Sequence, residues 1–178
     1  MAVDLLVRYG VIPEVGRFPC GAEMAANRGD RVVVQTERGP QLGVVLQSLR
    51  AASTGAADAG GSAESEEGAR VLRLASADDL RQAETLRQEA QSGFSRWQRQ
   101  FVDWNLQLEL LDLEWTLDRG KLVVYVLGGR GPDTTRLALL AAASGQASIE
   151  VQPVSTEGLV PLERSGGGCG SGGCGCSH

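Results

Sequence analysis

Residues 51–69 divide the chain into two parts, because no continuous pattern of strands or helices runs through them. This stretch, AASTGAADAGGSAESEEGA, consists of small, polar and acidic residues and shows no apolar periodicity. Such a composition buries too little apolar surface to form a core element, and it predicts a flexible linker or an elaborated loop. We therefore expect one unit over residues 1–50, a second over 70–154, and a tail over 155–178.

The first unit is predicted to consist of short strands. Its clearest piece is RGDRVVVQTERGPQLGVVL, in which two runs rich in β-branched residues flank Arg38-Gly39-Pro40. Glycine gives access to positive φ and proline ends strand pairing, so this piece predicts a β-hairpin. Four or five short strands without a helical period favour a small SH3-like β-barrel over 1–50, because an open sheet of this size would leave its edges exposed.

The second unit begins with VLRLA, a short predicted strand. Ser76 is a candidate N-cap for a long helix, and Asp78 and Asp79 fall in its first turn, where negative charge is favourable. Apolar residues then recur at spacings of three and four, which predicts one buried helical face. The residues of this stripe are Leu80, Ala83, Leu86, Ala90, Phe94, Trp97, Phe101 and Trp104.

Two further strands, a helix and a last strand complete the second unit. LQLELLDLEWTLDRGKLVVYVLGG predicts a hairpin that turns at Asp118-Arg119-Gly120, TTRLALLAAAS a short helix, and ASIEVQPV the final strand. The order strand, helix, strand, strand, helix, strand predicts a ferredoxin-like βαββαβ unit over 70–154. The whole chain is thus expected to be of the α+β class.

Composition excludes several classes of function. The net charge is −5, which argues against a globally basic nucleic-acid binder, and no apolar run approaches the roughly 20 residues that a membrane span needs. The start of the chain lacks the basic region of a signal peptide, so a cytoplasmic protein without membrane insertion is expected. The one histidine, His178, ends the chain, where it would make a poorly held catalytic base. We expect no enzyme and no small-molecule substrate.

The tail gathers soft-metal ligands on a glycine-rich string. Cys169, Cys174, Cys176 and His178 follow the spacing C-x4-C-x-C-x-H. Thiolates and imidazole suit zinc, copper(I) and iron–sulfur clusters, although structural zinc sites more often use C-x2–4-C pairs. Metal handling by these four residues, incidental thiols on a disordered end, and redox exchange all remain open. Cys20 lies apart and is expected to be structural or a bystander, unless the tail reaches back to it.

Other charged residues give weaker indications. GGRGPD lacks the Gly-Lys-Ser/Thr ending of a phosphate-binding loop, and a simple turn is the expected structure. Arg130 and Arg136 could still form a small anion-binding spot at the following helix. Four arginines of the long helix are expected on a solvated face, with an RNA-facing role as the alternative. They are Arg81, Arg87, Arg96 and Arg99.

Three stretches together carry a family resemblance. They are VRYGVIPEVGRF with RGDRVVVQTERGPQLGVVL, then VLRLASADDL, and then LELLDLEWTLDRGKLVVYVLGGRGPDTTRLALLAAA through SIEVQPV. On these stretches the chain resembles the polymerase-suppressor-protein (PSP) C-terminal domain family, which includes the RicT-like (YaaT-like) bacterial proteins. The resemblance covers the chain to about residue 154, apart from the linker.

This resemblance implies a non-catalytic, cytoplasmic accessory or regulatory protein. RicT-like members of the family are subunits of a small complex that carries iron–sulfur clusters and promotes RNA processing by the endonuclease RNase Y, so the resemblance implies protein partners and an indirect contact with RNA. The Cys-Gly and Cys-Cys cluster motifs of RicT-like proteins are absent here, and no cluster ligand carries over by position. An iron–sulfur cluster or zinc would have to use the tail. The alternatives are a soft-metal carrier or sensor, with the body as a docking scaffold, and a direct RNA-binding protein.

Overall fold

A computed structural model describes residues 3–21, 23–50, 68–129, 131–144 and 148–160. These residues form nine strands and two helices. In chain order they are β1 (Val3–Tyr9), β2 (Glu14–Cys20), β3 (Arg31–Thr36), β4 (Gly39–Arg50), β5 (Arg70–Leu74), α1 (Ala77–Asp103), β6 (Glu109–Trp115), β7 (Leu122–Leu127), α2 (Pro132–Ala143), β8 (Ile149–Ser155) and β9 (Gly158–Leu159). The predicted α+β class is confirmed. Most of the predicted linker and of the predicted tail lies outside the described residues.

The first sheet is antiparallel, with the strand order β2-β1-β4-β3-β5. Alternate residues of its strands, such as Leu5, Val7, Val32 and Val34, are buried and form one apolar core. The predicted hairpin at Arg38 is confirmed, since β3 and β4 pair up to Thr36 opposite Gly39. The edge strands β2 and β5 approach each other without pairing, so the sheet is a five-stranded half-barrel. The SH3-like barrel expected over 1–50 is thus observed in part: it stays open, and its fifth strand comes from beyond the linker.

Helix α1 begins as the sequence predicts. Ser76 is its N-cap, and the Ser76 and Asp79 side chains form a reciprocal capping box with the backbone. The predicted apolar stripe is buried at Leu86, Ala90, Trp97 and Phe101, but not at its start, where Leu80 is 39% exposed. The helix packs along the second sheet with its aromatic half.

The second sheet has the order β6-β7-β8-β9. The predicted hairpin at Asp118-Arg119-Gly120 joins β6 to β7 and is confirmed, and α2 carries the chain across to β8, which lies parallel to β7. One face of this sheet packs against α1 and α2 through a core that includes Leu113, Val124 and Leu137. Neither helix of the described chain is long and apolar enough to cross a membrane.

The ferredoxin-like arrangement predicted over 70–154 is wrong, because β5 does not join the second sheet. In a ferredoxin-like unit the first strand lies between the last two strands, which are parallel to each other and antiparallel to it. Here β7 and β8 pair directly with each other, so that place is taken. Strand β5 pairs instead with β3, where Val71 completes the core of the half-barrel.

Candidate functional site

The β3–β4 hairpin carries Arg38 from the first sheet onto the second. Gly39 at the turn has a φ of +132°, and a Cβ there would lie 3.1 Å from Cγ2 of Thr116. The next residue, Pro40, accepts a 2.7 Å hydrogen bond from the backbone N–H of Leu117. Glycine is therefore needed both for the backbone conformation and for this close approach. The hairpin docks its turn against the end of β6.

Arg38 is surrounded by acceptors from both sheets. Its guanidinium forms an ion pair with Glu14, donates a 3.1 Å hydrogen bond to Oε1 of Gln152, and lies 3.6 Å from Oε1 of Glu150. The other oxygen of Glu150 is 2.7 Å from Nζ of Lys121. We call these five residues the Arg38 cluster. It alternates positive and negative groups, so each charge has an opposite neighbour.

The environment fixes the charge state of Arg38. Its side chain is only 10% exposed. Burial by itself would lower its pKa, but the hydrogen bond and ion pair with Glu14, with a smaller contribution from Glu150, raise the pKa above the ordinary value for arginine. Arg38 is thus a permanent cation between the sheets and cannot serve as a proton donor.

A second polar group, the Glu114 cluster, lies next to the hairpin. Oε2 of Glu114 accepts hydrogen bonds from the hydroxyl of Tyr125 at 2.6 Å and from the backbone N–H of Val11 at 3.1 Å. Its Oε1 accepts from the amide of Gln41 at 3.0 Å, and the hydroxyl of Thr36 lies 2.9 Å from Oε1 of Gln41. Three donors, one from each sheet and one from the turn between β1 and β2, thus satisfy one carboxylate.

Tyr125 is held in its neutral form within this cluster. The side chain is fully buried, and this burial, together with the negative charge of Glu114, raises the pKa of its phenol well above the usual range. A neutral phenol donates its proton to the carboxylate, which is the role seen here. The two clusters therefore join the sheets, and within each cluster the polar groups form hydrogen bonds or ion pairs with one another.

A cleft of about 290 Å³ opens beside the Glu114 cluster. One wall comes from the first sheet, one from α1 and one from β6. Its lining residues are Gly10, Val11, Arg31, Gln41, Leu42, Ala83, Leu86, Arg87, Leu113, Glu114, Trp115 and Leu117. The lining includes apolar side chains such as those of Leu86 and Leu113, and Arg31 and Arg87 are exposed residues of the same lining.

The four predicted metal ligands, Cys169, Cys174, Cys176 and His178, lie outside the described residues. Within the described ranges, no group of three or more His, Cys, Asp or Glu side chains is arranged to hold a metal ion. The prediction of a metal site in the tail therefore stays a prediction.

Cys20 is buried in the core of the half-barrel, as expected of a structural residue. Its Sγ lies 3.7 Å from the carbonyl oxygen of Met24. Burial raises the pKa of this thiol, which favours the unreactive protonated form.

The predicted arginine positions are partly described. Arg130 lies outside the described residues, and Arg136 is exposed on α2. All four arginines singled out on α1 are exposed, as expected for a solvated face. Of these four, Arg87 also lines the cleft.

Neither polar cluster was predicted from the sequence. The predicted hairpin includes Arg38, but the acceptors of its guanidinium are contributed by β2 and β8. A signal was present in the polar residues Glu150 and Gln152, which alternate with the apolar residues of the last predicted strand. The partners could not be assigned from this signal, because Glu150 lies more than a hundred positions from Arg38.

Residues 69–130 match the family described as the PSP1 C-terminal conserved region. The chain is 29% identical over 101 residues to the stage 0 sporulation protein YaaT of Bacillus subtilis (strain 168). This alignment covers 57% of the chain and 37% of that relative, so the chain spans well under half the length of YaaT. No solved structure matches the chain significantly.

Proposed function

We propose, from the premise that residues 69–130 belong to the PSP1 C-terminal region family, that this chain is a non-catalytic accessory protein that works by assembling with protein partners. This proposal rests on the family match. The matched residues include β5, α1, β6 and β7, which form two walls of the cleft and contribute Glu114 and Tyr125 to the Glu114 cluster. The finer proposal is a YaaT-like, cytoplasmic subunit of a small complex that influences RNA processing of the RNase Y type.

The chemistry of the intersheet clusters supports a role without catalysis. General acid–base catalysis needs a group whose pKa lies near the working pH and which can reach a substrate. Arg38 and Tyr125 have pKa values raised away from that range, and Glu114 is occupied by three donors. These groups are suited to holding a body rigid while its surface binds partners.

The experiment is capture of the full chain, tagged and expressed at its native level, after crosslinking in its own cells. We expect the same few proteins in amounts comparable to the chain itself, and altered 5′ ends of specific transcripts when the gene is removed. An unrelated tagged protein of similar size and charge is the control. Recovery of the chain alone, together with unchanged transcript ends, would contradict the proposal.

A second candidate function, soft-metal carrier or sensor, is favoured by the donor set of the tail. Cys169, Cys174, Cys176 and His178 offer three thiolates and an imidazole, which suit zinc, copper(I) or an iron–sulfur cluster. Anaerobic purification of the full chain beside a chain truncated before Gly166 tests this candidate by elemental analysis and a visible spectrum. We expect metal with the full chain and none with the truncated one. A full chain that binds neither zinc nor iron and sulfide would remove the candidate.

A further inference from the structure

The cleft runs along the free edge of the second sheet. Strand β6 is the outermost strand of its sheet, and among the described residues it pairs with β7 alone. The backbone N–H of Thr116 donates to the carbonyl of Lys121 at 3.0 Å, so Thr116 faces the β7 side. In an antiparallel ladder the backbone groups of successive residues point alternately toward the partner and away from it. Those of Leu113, Trp115 and Leu117 therefore point away from β7.

One of these three residues already bonds to the first sheet through its backbone. The N–H of Leu117 donates to the carbonyl of Pro40 at 2.7 Å, which shows that the backbone groups pointing away from β7 face the half-barrel. The other two residues, Leu113 and Trp115, both line the cleft. The N–H of Leu113 donates to its neighbour Asp112 at 2.8 Å, so within the described ranges the carbonyl of Leu113 and both backbone groups of Trp115 have no strand partner. Unpaired groups of this kind are a template for a further strand.

The charges around the cleft indicate which side chains an added strand would have. Neither Arg31 nor Arg87 has a side-chain hydrogen bond or ion pair with any described residue, and both line the cleft. The only acid among the lining residues is Glu114, whose oxygens are occupied by Tyr125, Gln41 and the N–H of Val11. The lining of the cleft therefore combines two cations that have no partner among the described residues with the buried side chain of Leu86.

We propose that this cleft takes an extended segment of a partner protein, which adds as a strand to β6 and alternates apolar with acidic side chains. Added strands are held by main-chain hydrogen bonds and selected by pockets for alternate side chains. The distance from Leu113 to Trp115 is about 7 Å along a strand, so the paired core of the segment is short, with its acidic groups next to Arg31 and Arg87. This inference rests on the proposed function, since it names the partner chemistry of a protein that acts by assembly.

Selection of random dodecapeptides displayed on phage against the full chain provides the probe. We expect the enriched peptides to alternate apolar and acidic residues. A synthetic copy of the best one should lose at least about tenfold in affinity for the Arg87→Glu and Arg31→Glu variants, and change by less than about twofold for Arg96→Glu. Arg96 is the matched control, because it is exposed on the same helix but does not line the cleft. On binding, the backbone amide resonance of Trp115 should shift and its hydrogen exchange should slow.

Several results would overturn the proposal. They are the absence of any enriched peptide, enriched peptides without acidic residues, equal loss for Arg96→Glu, and an unmoved Trp115 amide. Displacement of the peptide by pyrophosphate or by a short oligouridylate, with the same dependence on Arg87, would assign the cleft to a small anion or to RNA instead. If a chain with both Arg31→Glu and Arg87→Glu still captures its partners from cells in full, the cleft is not the docking site and the proposed function stands. If the unmodified chain captures none, the proposed function fails whatever the peptides do.

Discussion

The side-chain amide of Gln41 on β4 donates a 3.0 Å hydrogen bond to Glu114 on β6 and so joins the two sheets through their interior. Gln41 is only 2% exposed, and Tyr125, which shares the same carboxylate, is fully buried. Buried polar groups are costly when they lose a partner, so a fully satisfied cluster specifies one arrangement of the sheets.

Replacing Arg38 by methionine should destabilise the fold strongly. The change keeps most of the side-chain length but leaves Glu14 and Glu150 facing each other without their shared cation. Breaking a buried ion pair in this way costs about 3–5 kcal/mol of unfolding free energy, measured by urea denaturation. The control is Arg17→Met, which breaks the Asp4 pair at a position where the arginine side chain is 40% exposed and should cost less than about 1 kcal/mol. Equal costs for the two variants would contradict the structural role of Arg38.

Replacing Tyr125 by phenylalanine should change how stability depends on alkaline pH. The folded protein raises the pKa of Tyr125, so its neutral form is favoured by folding and this contribution is present in full below the unfolded pKa of about 10. As the pH rises above that value, the unfolded chain ionises first and the contribution is lost.

Urea midpoints of the natural chain and of Tyr125→Phe should therefore converge above about pH 10. Below that pH the variant should be less stable by about 1–3 kcal/mol, because Glu114 loses a buried donor. Cys20 titrates in both proteins and cancels in the difference. Parallel curves across this pH range would show that Tyr125 is not held in its neutral form by the fold.

Asp79 should contribute to stability at neutral pH and lose this contribution in acid. The hydrogen bond from Arg73, followed by that from the backbone of Ser76, lowers the pKa of Asp79 to about 2. A lowered pKa stabilises the fold above the unfolded value of about 3.9, and the contribution disappears as the pH falls toward about 2. Asp79→Asn should flatten the pH dependence of the unfolding free energy in that window. Asp78→Asn, in the same helical turn but with an 83% exposed side chain, should leave the window largely unchanged.

Two glycine substitutions should act in opposite directions. Gly93 lies inside α1, and a Cβ there would sit 4.0 Å from Cδ1 of Trp97, an ordinary contact, so Gly93→Ala should raise the unfolding free energy by about 1 kcal/mol. At Gly43 a Cβ would lie 2.4 Å from Cγ1 of Val7, inside the core of the half-barrel. Gly43→Ala should therefore destabilise the fold, typically by about 1–3 kcal/mol. Thermal unfolding of both variants measures the contrast, and a stabilising Gly43→Ala would refute the packing described for β1 and β4.

The features that the sequence predicted are the ones that depend on neighbouring residues. The turn at Arg38-Gly39-Pro40 and the cap at Ser76 each place the necessary side chains within a few positions of one another, so short-range chemistry is enough. The position of β5 depends on a competition between two sheets. VLRLA is a strand in either of them, and only the direct pairing of β7 with β8 decides the outcome.

The intersheet clusters also could not be predicted from the sequence, because they depend on how distant segments pack. Along β8, Glu150 and Gln152 alternate with apolar residues, a pattern that normally indicates a face open to water. That face is covered by the hairpin that carries Arg38, from the other half of the chain. The cleft was not predicted because its walls come from three separate segments. For Arg87 on α1 the sequence indicated a solvated face or, as the alternative, a face toward RNA, but not a cleft.

The central claim is that this chain works as part of an assembly with other proteins. Native mass spectrometry of the complex, purified anaerobically from its own cells by a tag on the chain, measures this directly. We expect a defined mass well above that of the 18.7 kDa chain, which copies of the chain alone cannot explain and which dissociates into the chain and different polypeptides. A mass equal to one chain, or to a whole number of identical chains, would contradict it.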